Sequence, residues 1–221
     1  MADEPLGLTV HSMPSPSEGS AQQRTRMGRV RMLLVMLVCA APVIASYFTY
    51  YVVKPQGSAA YGQLIDPQRP LPAVTATAAD GTAIDMRSLK GQWLLVVVGK
   101  AGCDSVCEQY LYLQRQLRES LGREKERVDR VWLVSDEAAL PDRLGQALRG
   151  ASVLRLPQVQ LAQWLAPDAG HQLDEHMYLV DPLGNWMMRF PAGMDAAGAA
   201  KAKRDIERVL RAAASWDEAG R

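Results

Sequence analysis

Residues 93–107 read Trp93-Leu-Leu-Val-Val-Val-Gly99-Lys-Ala-Gly-Cys103-Asp-Ser-Val-Cys107, an apolar, β-branched run that ends in glycine and two cysteines four positions apart. Six apolar residues in a row, without alternation, predict a central parallel strand buried on both faces. Over residues 104–121, Tyr110, Leu113, Leu117 and Leu121 recur at helical spacing among arginines and glutamates, which predicts a helix directly behind the strand. Cys103 then stands at or just before the first helical turn and Cys107 one turn on, on the same face. Free backbone N–H groups and the helix dipole favour a thiolate there, and Lys100 adds positive charge. Such a pair has three uses. It closes a disulfide if the Cα atoms lie within about 4.4–6.8 Å; it holds one soft cation, Cu(I), between two thiolates; or it is an inert crosslink. The crosslink would stabilise weakly, because so short a loop removes little chain entropy.

Outward from this junction the elements alternate. Residues 82–85 follow the turn signal Asp80-Gly81 and predict a short edge strand; residues 128–134 predict a strand; residues 137–148 a helix broken early by Pro141; residues 153–156 a strand; and residues 158–165 a brief helix. Residues 177–180 and 186–190 about the turn Asp181-Pro-Leu-Gly184 predict a hairpin, and residues 196–214 an amphipathic helix. This is the order of an α/β domain of thioredoxin-like type, a mixed sheet flanked by helices.

Upstream, Met32 to Val53 contains 22 residues without a charge, a helix of about 33 Å that matches a bilayer core. The run exceeds the ~7–15 residues of a signal-peptide core, and Tyr47, Phe48, Tyr50 and Tyr51 form an aromatic belt, so an uncleaved anchor is expected. Arg24, Arg26, Arg29 and Arg31 crowd its amino-terminal flank, placing that end in the cytoplasm and the remainder outside. Residues 1–23 carry Asp3, Glu4 and Glu18 and no arginine, which excludes a mitochondrial presequence. Six lysines against nineteen arginines point to a GC-rich bacterial genome and hence to the bacterial inner membrane, with a periplasmic domain. The organisation expected is a cytoplasmic tail (1–31), a transmembrane helix (32–53), a proline-stiffened tether (54–70), the thioredoxin-like domain (71–214) and a short tail (215–221). With 25 basic against 24 acidic side chains, nucleic acid is not expected as a partner, and three cysteines are too few for a disulfide-stapled scaffold.

The run from Ala79 to Val98, the Cys103/Cys107 pair, Arg130-Val-Trp-Leu-Val-Ser-Asp136 and Tyr178-Leu-Val-Asp-Pro-Leu-Gly184 resemble the Sco/SenC proteins over about residues 71–212. The resemblance implies a membrane-anchored thioredoxin-like domain that delivers Cu(I) to, or manages the thiols of, the copper centre of cytochrome c oxidase. Its partners would be an oxidase subunit or a copper chaperone, and it would be a metallochaperone or redox assembly factor rather than a metabolic enzyme. The family's third copper ligand is a histidine, and the matching position here is Leu173. Of the nearby histidines, His176 is the candidate that joins Cys103 and Cys107 as a copper ligand, although strand alternation turns it away from Met177 and Leu179. His171 is the weaker candidate and His11 lies in the tail. Met187, Met188 and Met194 are soft donors, but Met187 and Met188 occupy successive strand positions, so at least one belongs to the core. Two alternatives stand beside copper transfer: a thiol-disulfide reductase in which Cys103 attacks and Cys107 resolves, and a non-catalytic scaffold for the oxidase.

The flanking arginines yield a first prediction. A reporter active only outside the cytoplasm, fused after Arg221, will be active, and replacing Arg24, Arg26, Arg29 and Arg31 with neutral residues will lower that activity. A purely cytoplasmic signal from the unaltered fusion would refute the orientation.

Overall fold

Trp93–Gly99 buries all seven of its residues, and a strand hidden on both faces requires strands beside it and covering layers above and below. The computed structural model, which describes residues 18–53, 60–215 and 217, places it in one mixed sheet of eight strands. These are β1 (Gln63–Pro70), β2 (Thr75–Ala78), β3 (Ala83–Asp85), β4 (Trp93–Gly99), β5 (Val128–Val134), β6 (Ala151–Arg155), β7 (Met177–Val180) and β8 (Asn185–Arg189), in the order β1-β8-β7-β4-β5-β6-β2-β3. β4 runs parallel to β5 and antiparallel to β7, and β5 runs parallel to β6. The helices of this unit are α2 (Ser105–Ser120), the single turn α3 (Gly145–Leu148), α4 (Gln158–Trp164) and α5 (Ala196–Ala213). A separate unit contains α1 (Glu18–Phe48), continued by a π-helical turn at Thr49–Val53. Within it, residues 26–52 are long and apolar enough to cross a membrane.

The two faces of β4 divide the core. Trp93, Leu95 and Val97 pack with Tyr110, Leu113 and Leu117 of α2 and Ile206 and Leu210 of α5, while Leu94, Val96 and Val98 pack with Leu161 and Trp164 of α4. At about 1.5–3 kcal/mol for each fully buried large apolar side chain, this two-sided burial is the main stabilising term. Gln114 of α2, fully buried, donates through Nε2 to the carbonyls of Leu95 (2.7 Å) and Val131 (3.0 Å), which fixes α2 over the β4–β5 pair.

Three sequence expectations change. The segment read as tether contains β1, which pairs with β8 through Gln63↔Arg189 and Pro70↔Asn185. Its prolines are tolerated because β1 is an edge strand with a free side. The entry is fastened by Asp205 of α5, 3% exposed, whose Oδ2 accepts the backbone N–H of Tyr61 (2.6 Å) and Gly62 (2.9 Å). A Cβ on Gly62 would meet Met188 Sδ at 2.4 Å, so a side chain there would displace the Met188 side chain. Next, residues 137–148 form only a 3₁₀ turn at Asp142–Leu144 followed by α3. Arg155 captures the carbonyls of Asp136 (2.7 Å) and Ala138 (2.8 Å), which a helix would have used itself. Finally, Asp217 in the expected tail is clasped: its Oδ2 accepts from Trp93 Nε1 (2.5 Å) and from Arg127 Nε (3.1 Å) and Nη2 (2.6 Å). Residues 1–17, 54–59, 216 and 218–221, which hold the rest of the expected tails and tether, lie outside the described residues.

The Asp217 side chain is 2% exposed and that of Arg127 is 10% exposed, and removing one partner of a buried pair strands the other, at about 3–5 kcal/mol. Asp217→Ala will therefore lower the unfolding free energy of residues 58–221 by about 3 kcal/mol in urea denaturation. A change below about 0.5 kcal/mol, the range of neutral surface substitutions, would show that the clasp does not hold the domain.

Candidate functional site

β4 ends at Gly99, and the next four residues turn the chain into α2, with Cys103 N donating to Lys100 O at 3.0 Å. Cys103 closes the turn at φ +40°, a left-handed conformation that costs a residue with a side chain about 1–2 kcal/mol. Asp104 is the N-cap, its Oδ1 accepting from Cys107 N at 2.9 Å. Cys103 thus stands one residue ahead of the cap and Cys107 is the third residue of the helix. Their Cα atoms are 5.2 Å apart and the sulfurs are joined as a disulfide. Cys39, in α1, is a free cysteine.

The turn is held from the sides. Asp136 Oδ1 accepts from Ala101 N (2.9 Å), and Ser135 N donates to Gly99 O (2.9 Å), so the end of β5 carries the turn. Arg143 was missed in the sequence. Its Nη2 donates to the carbonyls of Gly102 (2.9 Å) and Cys103 (2.7 Å), and its Nε pairs with Glu108 Oε1 of α2 (2.8 Å). No local signal marks this residue, because the contact spans 40 positions of the chain. Beneath the turn, a Cβ on Gly99 would lie 3.2 Å from Trp132 Nε1 and 3.3 Å from Cys107 Sγ, so this glycine lets the sulfur seat against the sheet.

Above the disulfide is a cleft of about 600 Å³, lined by Lys100, both cysteines, Asp104, Arg143 and, across it, Gln172, Asp174 and Glu175. A second hollow of about 390 Å³ adjoins it and shares Lys100, Gln172 and Asp174. Glu175 holds its proton less readily than an ordinary carboxyl, because Gln172 N and then His171 donate to its carboxylate, so the far rim is anionic.

His176 does not join the two cysteines. It is fully buried, its Nδ1–H donates to Phe190 O (2.9 Å), and its Nε2 accepts from Asp168 N (3.1 Å). With one nitrogen protonated and the other occupied, neither offers a lone pair to a metal, and His176 is absent from the residues lining the cleft. The structure thus sets His176 apart from Cys103 and Cys107, with which it was expected to act as a copper ligand. His171 is tied to Glu175 Oε2 (2.8 Å) and does not line the cleft either. Leu173, at the expected histidine position, is 5% exposed and packs with the α4-side core. Met188 and Met194 are core residues, with Met187 packed against the same core. Among the described residues no group of three or more His, Cys, Asp or Glu side chains could hold a metal ion. The donor set at the cleft is two sulfurs, carboxylates and an amide.

A family described as transmembrane-like, thioredoxin-like, C-terminal domain matches residues 93–213, more than half of the chain and the whole span from β4 through α5. The chain belongs to this family. No curated protein sequence matches it. Solved structures share the fold of this thioredoxin-like domain at low identity. The crystal structure of yeast Sco1 with copper bound is 15% identical, with 65% of this chain and 89% of that solved chain covered and a TM-score of 0.50. An SCO1/SenC family lipoprotein from Bacillus anthracis is 16% identical, with 66% and 99% covered and a TM-score of 0.50. A putative protein disulfide isomerase from Bacteroides thetaiotaomicron is also 16% identical, with 71% and 97% covered and a TM-score of 0.50. Copper-binding and disulfide-handling proteins are therefore both built on this frame.

Burial pushes the pKa of His176 below that of a free histidine. A group depressed in the folded state contributes stability that is complete above its unfolded pKa, about 6.5, and is lost as pH falls through the folded value. The unfolding free energy of residues 58–221 will therefore drop between pH 7.5 and 5.5, and His176→Gln will reduce that drop in urea denaturation at the two pH values. An equal drop in both proteins would refute the assignment of a buried, neutral imidazole.

Proposed function

We propose that this protein is a membrane-anchored thiol-disulfide exchange protein whose outward domain reduces a disulfide in an assembling oxidase subunit or in a copper chaperone. One observation carries the reading: the loop facing the two sulfurs offers Gln172, Asp174 and Glu175 where a copper site would need an imidazole. In the reduced protein the Cys103 thiolate attacks the partner's disulfide. A bond forms between Cys103 and one partner sulfur, and the other partner sulfur leaves as a thiolate that takes up a proton. Cys107, deprotonated, then attacks the Cys103 sulfur, the mixed disulfide breaks, and the partner departs as a dithiol while Cys103–Cys107 becomes the disulfide. Two electrons have passed to the partner, and a second dithiol must return them for the next cycle. The helix start favours the attacking thiolate, and the 5.2 Å Cα separation lets Cys107 reach Cys103 without moving the backbone.

Copper as cargo is the second reading, supported by the fold shared with copper-bound Sco1. Two thiolates suffice to hold Cu(I), which tolerates low coordination, but without a nitrogen ligand the complex is the weaker kind. A scaffold that only binds the oxidase is the third.

Two measurements separate them. In the exchange reading, Cys107→Ser will accumulate a mixed disulfide with a disulfide-containing partner peptide, Cys103→Ser will not, and the reduced wild-type protein will surrender Cu(I) to a colorimetric chelator. Retention of one Cu(I) per domain against that chelator, abolished by either cysteine substitution, would replace exchange with cargo transport. Absence of both activities would leave the scaffold.

A further inference from the structure

Trp132 lies in β5 between β4 and β6, is fully buried, and its indole N–H has no hydrogen-bond partner. An unpaired buried donor is costly and rare in folded proteins, and phenylalanine would fill most of the same volume without the penalty. What lies beside the nitrogen accounts for its presence. The Cβ position on Gly99 is 3.2 Å from Trp132 Nε1 and 3.3 Å from Cys107 Sγ, so the donor and the sulfur border one gap above a residue without a side chain. In the disulfide, Cys107 Sγ is bonded to Cys103 Sγ and is a poor acceptor. Once that bond opens, Cys107 becomes a thiol or thiolate, a stronger acceptor at the edge of the gap. The β5 ladder holds the Trp132 backbone from both sides, so the approach is made by the sulfur and the indole ring.

We propose that Trp132 is a positioning residue for the redox pair: its indole N–H hydrogen-bonds the Cys107 sulfur in the reduced state, which favours the dithiol over the disulfide. The inference rests on the thiol-exchange reading. In the half-reaction the disulfide takes two electrons and two protons from a dithiol reductant or from two glutathione molecules. Trp132 donates a hydrogen bond and transfers neither electron nor proton.

The test is a redox titration of the full chain in detergent against glutathione, with the fold of each variant checked by circular dichroism. Trp132→Phe removes the donor and will lower the equilibrium constant for reduction about 10-fold, a shift of about 30 mV to more negative potential. Gly99→Ala, which adds a methyl 3.2 Å from the nitrogen and 3.3 Å from the sulfur while keeping the indole, will shift it in the same direction. In ¹⁵N-labelled protein, the indole N–H resonance that disappears in Trp132→Phe will move downfield when the wild-type disulfide is reduced, a readout that a merely structural tryptophan would not give. An unmoved resonance together with an unchanged potential in Trp132→Phe would overturn the inference while leaving thiol exchange intact. A disulfide that fails to equilibrate with glutathione in the wild-type protein would overturn thiol exchange, and this inference with it.

Discussion

The burial of β4 on both faces is the constraint on which the rest depends. No residue of this strand reaches solvent, so it must be paired on each edge, by β5 in parallel and β7 antiparallel, and covered on each side. The chain first reaches solvent at Lys100, just past the last residue of β4, and the two cysteines follow, 2% and 6% exposed. A partner meets them at the end of the sheet, between a turn carried by the end of β5 and a loop leading into β7. Both neighbours of β4 thus supply walls of the cleft, which ties its shape to the packing beneath it.

The loop before β7 sets which side chains face the sulfurs. Leu173–Glu175 is a 3₁₀ turn, in which positions three apart share a face, so Leu173 and His176 are both buried while Gln172, Asp174 and Glu175 line the cleft. The imidazole of His176 is spent on the backbone of Asp168 and Phe190, so it braces the loop instead of reacting. The cleft thus sets an anionic rim opposite Lys100 and two sulfurs without a nitrogen ligand beside them, the features on which the proposed exchange chemistry rests.

Much of this was legible in residues 93–107, where the apolar run, the glycine and the cysteine spacing located the central strand, the helix and the sulfur pair. The residue numbers of β5, α4 and the hairpin were also close to those read from periodicity. What escaped notice lacked a local pattern. β1 is exposed along nearly its whole length, so it shows no alternation, and its prolines argue for a tether until its edge position is known. Residues 137–148 look helical alone because the competitor for their carbonyls, Arg155, is supplied from β6. Asp217 and Arg143 act across 90 and 40 positions of chain, and a single carboxylate or guanidinium gives no sign of so distant a partner. His176 caps the 3₁₀ turn ahead of β7, and its two hydrogen bonds reach Asp168 and Phe190, which no local pattern announces.

The clamp at the start of β1 has a mechanical consequence. Asp205 grips two successive backbone amides, at Tyr61 and Gly62, and belongs to α5, which packs along α2 in the core below the sheet. Tension applied to the chain before Tyr61 is therefore delivered first to a buried carboxylate on a long helix, and reaches the edge strand only after that grip fails. Strain entering from the amino-terminal side is borne by α5, which shares one core with α2 and the two cysteines, so the packing beneath the cleft meets it before the edge strand does.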